Sequence, residues 1–258
     1  KYWEGREVHL LWDSSSEAMV WQDGQPMQGL TSYEDEWKKP LRTAYRLERC
    51  AKGNEKHSLY IEMACNRLFG VAPGITFPLR QAEIAVFDPA AWDLLWDYVV
   101  IADLAKHLPA DTPRAGQSLY AANQMINVFR QDDPDTWQQA RALAAGFSAA
   151  HSGEGQHNLS AIGHAHIYTA WLCPMAETRR KCARSFSSTL RLMDDYPEYK
   201  FACPQAQQLA WMKEYYPDLY ARIKARVAEG RFIPVGGTWV EPDCNLPSGE
   251  SLVRQFLY

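Results

Sequence analysis

Three short stretches of the sequence concentrate side chains that bind metals or transfer protons. The first stretch contains His164, His166, Tyr168 and Trp171, the second Cys203, Gln205 and Gln207, and the third Trp239, Glu241, Asp243 and Asn245. Zn²⁺ favours imidazole and carboxylate ligands, so histidines and acids from different stretches could share one ion. The spacing alone leaves a second interpretation open, in which each histidine is a structural side chain with its own hydrogen bonds.

The acidic and aromatic residues of these stretches suit sugar chemistry as well. Glu241 and Asp243 alternate, so on an extended strand their side chains would point the same way. A carboxylate there could serve as a nucleophile, a metal ligand or a base. Trp171 and Trp239 could form a platform for the apolar face of a sugar, or could simply pack inside the domain.

The elements that must position these residues follow a β-α-β-α-β-α pattern. Strands are predicted over residues 159–167, 199–205 and 232–243, and helices over 176–197, 217–231 and 248–258. In parallel β/α architectures the reactive residues gather at the C-terminal ends of the strands. The pattern therefore predicts the first three β/α units of a (β/α) barrel, with the three stretches at its strand ends.

The first part of the chain has a different pattern. Residues 7–30, 58–65 and 82–87 predict short strands, and QDGQP (22–26) predicts a hairpin turn. From Pro89 the spacing becomes helical. We predict an α/β protein with an N-terminal antiparallel β-sandwich-like domain (1–88), a helical connecting segment (89–150), a linker (151–157) and a truncated β/α catalytic domain (158–258).

Composition excludes several classes of function. The 258 residues are 47% hydrophobic and carry a net charge of −4, so neither a nucleic-acid partner nor a polybasic membrane anchor is expected. The apolar runs are too short to span a bilayer. The six cysteines are widely spread without a Cys-x-x-Cys pair, which is typical of reduced thiols in the cytoplasm. Because the chain stops within an apolar helix at Tyr258, we expect it to be a piece of a longer protein.

Several long motifs carry a family resemblance. GHAHIYTAWLCPMAETRRKCARS, FACPQAQQ and PVGGTWVEPDCNLPSGESLVRQFLY resemble the start of the catalytic domain of class II α-mannosidases, glycoside hydrolase family 38. EVHLLWDSSSEAMVWQDGQPMQGL, SLYIEMACN and LYAANQMINV also resemble its cytosolic and vacuolar branch. The resemblance implies a zinc-dependent, retaining exo-α-mannosidase that acts on mannose-containing oligosaccharides. It also implies a homo-oligomer in the cytoplasm, or in the vacuole without a secretory signal.

The resemblance assigns roles to individual residues. It implies that His166 binds zinc, that Asp243 is both zinc ligand and nucleophile, and that Trp171 stacks on the mannose ring. Trp239, the other member of the possible aromatic platform, is kept as a second candidate for sugar binding. Tyr168 stands where the family has a zinc-binding aspartate, and a phenol with a pKa of about 10 is a poor ligand. The remaining histidine ligand and the acid/base carboxyl are expected beyond Tyr258. This chain alone is therefore not expected to hydrolyse a glycoside.

Two other functions stay open at this point. The first is an inactive, mannosidase-like scaffold, which Tyr168 and the truncation favour but the intact Asp243, Trp171 and PSGES loop do not. The second is a metal amidohydrolase of the His-x-His barrel type, which would need further histidines downstream and does not explain GGTWVEPD.

Overall fold

The structure is a computed structural model that describes residues 2–32, 41–65, 74–150, 159–169, 171 and 173–256. Contacts divide the chain into two compact units, one formed by residues 1–86 together with 160–258 and one by residues 87–159. The strands are β1 (Val8–Asp13), β2 (Glu17–Gln22), β3 (Gln25–Thr31), β4 (Ala44–Glu48), β5 (Leu59–Met63), β6 (Gln81–Val86), β7 (Gly163–His164), β8 (Phe201–Cys203) and β9 (Phe232–Pro234). The helices are α1 (Pro89–His107), α2 (Pro113–Val128), α3 (Pro134–Ala149), α4 (Met175–Asp195), α5 (Ala206–Tyr215), α6 (Pro217–Ala228) and α7 (Gly249–Arg254).

The first six strands form two antiparallel sheets, in the orders β4-β1-β6 and β3-β2-β5. The predicted hairpin joins β2 to β3, where Asp23 and Gly24 have φ angles of 51° and 75°. Two consecutive positive φ angles are typical of the tight hairpin turn that matches the strand twist. Side chains from both sheets form one apolar core around Ala18, Val20 and Tyr45. This confirms the prediction of an antiparallel β module.

The last three strands form a small parallel sheet in the order β7-β8-β9. Helix α4 covers it with an apolar face, and Phe186 of that helix meets Phe201 of β8 and Phe232 of β9. The ring centres of Phe201 and Phe232 lie 5.2 Å apart. The three aromatic rings therefore pack against one another between the sheet and the helix. The parallel β/α arrangement is confirmed, whereas closure into a barrel stays a prediction.

All three strands of the parallel sheet are shorter than the sequence indicates, and the one predicted over 199–205 spans only Phe201–Cys203. The strand predicted over 159–167 is limited to Gly163–His164, and the one predicted over 232–243 ends at Pro234. The Val235 amide still donates to the Cys203 carbonyl of β8 at 3.1 Å, but the backbone then has other partners. The Trp239 amide donates to the Gln255 carbonyl, and the Trp239 carbonyl accepts from the Gln207 amide, both at 2.9 Å. The prediction that Glu241 and Asp243 extend the strand was therefore wrong.

Helix α4 lies against strand β3 in the first unit. The amide of Gly29 donates to Ser188 Oγ at 2.9 Å, and a side chain at Gly29 would meet the helix backbone. The buried Arg184 donates to Glu17 of β2 at 2.8 Å and to Glu177 at 2.5 Å. Burial disfavours the charged guanidinium, but these two carboxylates more than offset that effect, and the pKa of Arg184 is raised. This ion-pair cluster of Arg184, Glu17 and Glu177 thus joins the β module to the helix.

The second unit is a bundle of α1, α2 and α3. Each helix opens with a side-chain cap followed by proline, the caps being Asp88, Thr112 and Asp133. A cap acceptor satisfies first-turn amides, and proline lacks the amide that would otherwise stay unpaired. Among the described residues no helix is long and apolar enough to cross a membrane. The predicted linker 151–157 lies outside the described residues.

Candidate active site

The parallel sheet brings the three predicted stretches to one edge. Gly163 pairs with Phe201 and Cys203 pairs with Pro234, so the C-terminal ends of β7, β8 and β9 are in register. The chain segments that follow these ends contain the histidines, the glutamines and the carboxylates named above. As in other parallel β/α folds, residues distant in sequence therefore meet at this edge.

Two histidines and one carboxylate form a compact group there. One potential ligand atom from each of His164, His166 and Glu241 lies within 4.8 Å of the other two. His166 Nδ1 lies 3.2 Å from Glu241 Oε2, and the His166 side chain is 51% exposed. His164 Nδ1 lies 3.1 Å from the Ala202 carbonyl oxygen, which can only accept a hydrogen bond. The sequence had placed His164 and Glu241 at the strand ends but had not paired them.

Tyr168 packs in an aromatic row beside this group. Its ring meets His166 edge to face with ring centres 4.4 Å apart, and it lies 4.7 Å from the ring of Trp171. Tyr168 and Trp171 are both substantially exposed, at 48% and 59%. The position at which the family resemblance implies a zinc-binding carboxylate thus holds an aromatic ring in this chain. Trp171 presents an accessible indole next to it.

Buried glutamines hold the segment that carries His166. Gln205 and Gln208 both donate from their amide nitrogens to the Ile167 carbonyl, at 2.7 and 2.9 Å. Gln205 also accepts from the hydroxyl of Thr169 at 2.6 Å. Since Ile167 lies between His166 and Tyr168, this network fixes the backbone that displays both. The sequence had pointed to Gln205 as a candidate but had not identified its supporting role.

A second glutamine pair holds the segment that carries Glu241. Trp239 Nε1 donates to Gln207 Oε1 at 2.8 Å, and the Val240 amide donates to Gln255 Oε1 at 3.1 Å. Trp239 is thereby fixed two residues before Glu241. The indole ring predicted to bind sugar is anchored to α5, and the backbone after it is held by Gln255 at the end of α7.

Asp243 lies apart from the histidine group. Its Oδ1 accepts from the Asn245 amide at 2.8 Å, and the residue is exposed. It does not share the group that His164, His166 and Glu241 form in the described part of the chain. The assignment of Asp243 as nucleophile and zinc ligand stays a prediction.

A buried thiol lies close to this edge. Burial raises the pKa of Cys203 to about 11, and the negative charge of Glu241 adds to the effect. Without a bound metal, the thiol therefore keeps its proton at neutral pH.

Two domain families match this sequence. Residues 156–258 match the "Glycosyl hydrolases family 38 N-terminal domain", and residues 1–85 match the "Alpha-mannosidase, jelly roll domain". The first region contains all three strand ends, and the second contains the two antiparallel sheets.

Curated relatives match along almost the whole chain. The sequence is 48% identical to "Alpha-mannosidase 2C1" of Homo sapiens and 42% identical to "Alpha-mannosidase G" of Dictyostelium discoideum, over 99% of this chain in both cases. It is 37% identical to "Alpha-mannosidase" of Saccharomyces cerevisiae, again over 99% of this chain. The chain spans about a quarter of the length of these relatives, between 24% and 25%.

Proposed function

Since this chain belongs to glycosyl hydrolase family 38, with an α-mannosidase jelly roll domain before the family's N-terminal domain, we propose that it forms part of an α-mannosidase. Its substrates would be oligosaccharides and glycans that end in α-D-mannose. The observation that supports this most is that His166 lies 3.2 Å from the Glu241 carboxylate and shares an aromatic row with Trp171, at one edge of the parallel sheet within the family 38 region.

The proposed reaction proceeds with retention of configuration at the anomeric carbon. Asp243, the carboxylate of the WVEPD segment, would attack that carbon and form a covalent glycosyl intermediate. A second carboxyl would protonate the departing oxygen and then deprotonate the water that releases mannose. This second carboxyl would lie in a part of the full-length protein outside the present chain. The chain spans only a quarter of the length of its relatives.

Zinc is the proposed cofactor. The imidazole of His166 and a carboxylate only 3.2 Å away are donors that zinc favours, so the residues present fit the ion. The family resemblance adds Asp243 as a further ligand. When bound, zinc would supply a positive charge that polarises sugar hydroxyl groups and keeps nearby carboxylates ionised.

The tryptophans would hold the sugar. The exposed indole of Trp171 offers a flat apolar surface for the C–H face of a mannose ring. Trp239, fixed by Gln207 and Gln255, would bound the same subsite from the opposite segment. A rigid aromatic wall orders a sugar ring at little entropic cost, which favours a single reactive orientation.

Tyr168 is the feature that would limit activity. A neutral phenol supplies no charge to a metal, and here its ring lies against His166. The same observation favours one alternative, a mannosidase-like scaffold without catalysis. No observation favours an amidohydrolase.

The proposal also covers location and assembly. The six cysteines are widely spread and include no Cys-x-x-Cys pair, which supports a reducing compartment such as the cytoplasm. By resemblance the complete protein would be a homo-oligomer, with neither nucleic acid nor membrane as a partner.

Hydrolysis of a nitrophenyl α-mannoside by the full-length gene product tests the proposal. We expect weak turnover by the unmodified protein and a clear increase in Tyr168→Asp, because a carboxylate is restored beside His166. Tyr168→Phe is the matched control, since it keeps the ring and removes only the hydroxyl, and its rate should stay at the unmodified level. If Tyr168→Asp with Asp243→Asn is as active as Tyr168→Asp alone, Asp243 is not the nucleophile. If Tyr168→Asp is no faster than the unmodified protein, the account of Tyr168 is wrong.

A further inference from the structure

A cavity of about 360 Å³ lies beside the antiparallel sheet β4-β1-β6. Each strand of this sheet contributes to its apolar lining, through Leu47 of β4, Val8 of β1 and Ile84 of β6. Binding pockets for small molecules are commonly about 300–1,000 Å³ in volume. The lining residues all fall within the region matched to the jelly roll domain. The cavity is therefore a candidate binding site of the β module.

Backbone hydrogen bonds hold Trp3 at one side of this cavity. The Gly5 amide donates to the Ala51 carbonyl at 2.7 Å, and the Ala51 amide donates to the Arg6 carbonyl at 2.9 Å. The Arg6 amide donates to the Trp3 carbonyl at 3.0 Å, across a turn in which Gly5 has a φ angle of 78°. The Trp3 side chain lines the cavity and is 44% exposed. Its indole is therefore accessible to a ligand on a backbone that is already fixed.

The polar part of the lining consists of acids, an amide and an imidazole, from Glu4, Glu48, Asn54, Glu55 and His57. His57 Nε2 lies 3.4 Å from Glu48 Oε1, so these two side chains position each other. Glu55 Oε1 accepts from the Lys52 amide, and such backbone hydrogen bonds lower the pKa of the Glu55 carboxyl. The cavity thus offers positioned hydrogen-bonding groups next to an apolar surface.

A neutral sugar matches this lining in both respects. Its C–H face can lie on the indole of Trp3 and on Ile84, while its hydroxyl groups donate to the carboxylates. No lysine or arginine is among the described residues that line the cavity, and three glutamates are, so a phosphate or another anion would be repelled. A purely apolar ligand would bury the polar groups without partners. Jelly-roll folds also include lectin domains, although this is an analogy of fold alone.

We infer that the cavity beside Trp3 binds one neutral hexose residue. The indole of Trp3 stacks on the sugar ring, and Glu48, held by His57, accepts a hydrogen bond from a hydroxyl group. The inference goes beyond the proposed function, because this site lies on the β module and takes no part in hydrolysis. A role in retaining a glycan during its degradation rests on the proposed function, whereas sugar binding does not.

Fluorine NMR of this chain, labelled with fluorotryptophan and titrated with methyl glycosides of mannose, glucose and galactose, tests the inference. The chain has ten tryptophans, and the signal of Trp3 is the one that disappears in Trp3→Ala. We expect at least one glycoside to shift this signal saturably. Choline is the competing probe, because aromatic rings and carboxylates also attract organic cations. It should give no saturable shift, since Glu48 and Glu55 already have partners.

Two variants that keep the Trp3 signal test the lining. Ile84→Glu places a charge on the apolar part of the cavity and should weaken hexoside affinity by about tenfold or more. Glu48→Gln keeps the shape of the acceptor but removes its charge, and we expect a loss of about threefold or more. Trp92→Ala is the matched control, because Trp92 is 46% exposed but lies on α1. Trp92→Ala and Trp171→Ala should both leave the titration unchanged, and circular dichroism should show every variant folded.

Three results would overturn the inference: no saturable shift of the Trp3 signal with any hexoside, a saturable shift with choline alone, or unchanged affinity in both Ile84→Glu and Glu48→Gln. Loss of the shift in Trp171→Ala would also overturn it, because the sugar would then be bound at the candidate active site. The outcome is separable from that of the proposed function. Hexoside binding beside Trp3, without mannoside hydrolysis by the full-length protein, would support this site and refute the enzyme. Hydrolysis without binding beside Trp3 would do the reverse.

Discussion

The carbonyl oxygen of Ile167 accepts hydrogen bonds from two buried glutamines, Gln205 and Gln208. This contact shows how an exposed histidine can still have a defined position, because the residue next to it is tied to the interior. Charged and aromatic groups at the strand ends thus depend on neutral amides that take no part in chemistry themselves.

Gln205→Leu should destabilise the protein by about 1–3 kcal/mol, since a buried acceptor loses one donor and the Thr169 hydroxyl loses its acceptor. Denaturant unfolding measures the change. Gln117→Leu, at an exposed position of α2, is the control and should have little effect. Equal stability of the two variants would contradict the role assigned to Gln205.

The buried thiols give a second prediction at this scale. Burial raises the pKa of Cys182 from its ordinary value of 9.0 to about 12 and that of Cys203 to about 11. Because both pKa values are higher in the folded than in the unfolded protein, their stabilising contribution is complete below pH 9.0 and is lost as the pH rises towards 11 and 12.

Near pH 8, below the ordinary thiol pKa of 9.0, a thiol reagent should modify the exposed Cys50, Cys65 and Cys244 and spare Cys182 and Cys203. Peptide mapping after labelling identifies the modified positions. All six cysteines should react in denaturant. Rapid labelling of Cys182 in the folded protein would show that this part of the core is open.

At the scale of the elements, the close packing of β3 against α4 depends on Gly29, which has no side chain. A Cβ atom at Gly29 would lie 3.1 Å from both Cβ and the carbonyl oxygen of Arg184, and 3.2 Å from Ser188 Oγ. Two of these three neighbours belong to the backbone or its first side-chain atom, so they cannot rotate away.

Gly29→Ala should therefore lower the free energy of unfolding by about 1–3 kcal/mol, because the added methyl group overpacks the interface between β3 and α4. Gly116 in α2 has open space around it, and Gly116→Ala should instead stabilise the protein by about 0.5–1 kcal/mol. Thermal unfolding of both variants makes the comparison. A neutral or stabilising effect at Gly29 would mean that the helix and strand are not in such close contact.

Local signals predicted several elements well. The Asp23–Gly24 turn and the capped, proline-opened helices follow from interactions between residues near each other in sequence. Helix α5 was not predicted, and the strand after Phe232 was predicted to be too long. The backbone amide of Trp239, within the predicted strand, donates to Gln255 instead of to a neighbouring strand. No periodicity in residues 232–243 could reveal that partner.

In the candidate site too, contacts between residues distant in sequence could not be predicted. Strand-end position was enough to select His164, His166, Tyr168, Trp171 and Glu241 from the sequence. The pairing of His166 with Glu241 depends on how the chain turns after Pro234, which is set by contacts with Gln207 of α5 and with Gln255, the residue that follows α7. A family resemblance transfers positions and expected roles, but not the path of a particular loop.

At the scale of the whole molecule, two domain families share one compact unit. The jelly roll match (1–85) and the family 38 match (156–258) both fall mainly within the unit formed by residues 1–86 and 160–258. Helix α4 and the Arg184 ion group bind the two together. The β module thus supports, through α4, the sheet whose ends carry the candidate site.

Anomalous diffraction at the zinc absorption edge, from crystals of the full-length protein grown with zinc and an α-mannoside, tests the central claim most directly. The account predicts a zinc peak bonded to the imidazole of His166, with sugar density between Trp171 and Trp239. Zinc and sugar bound only at other places in the molecule would contradict it.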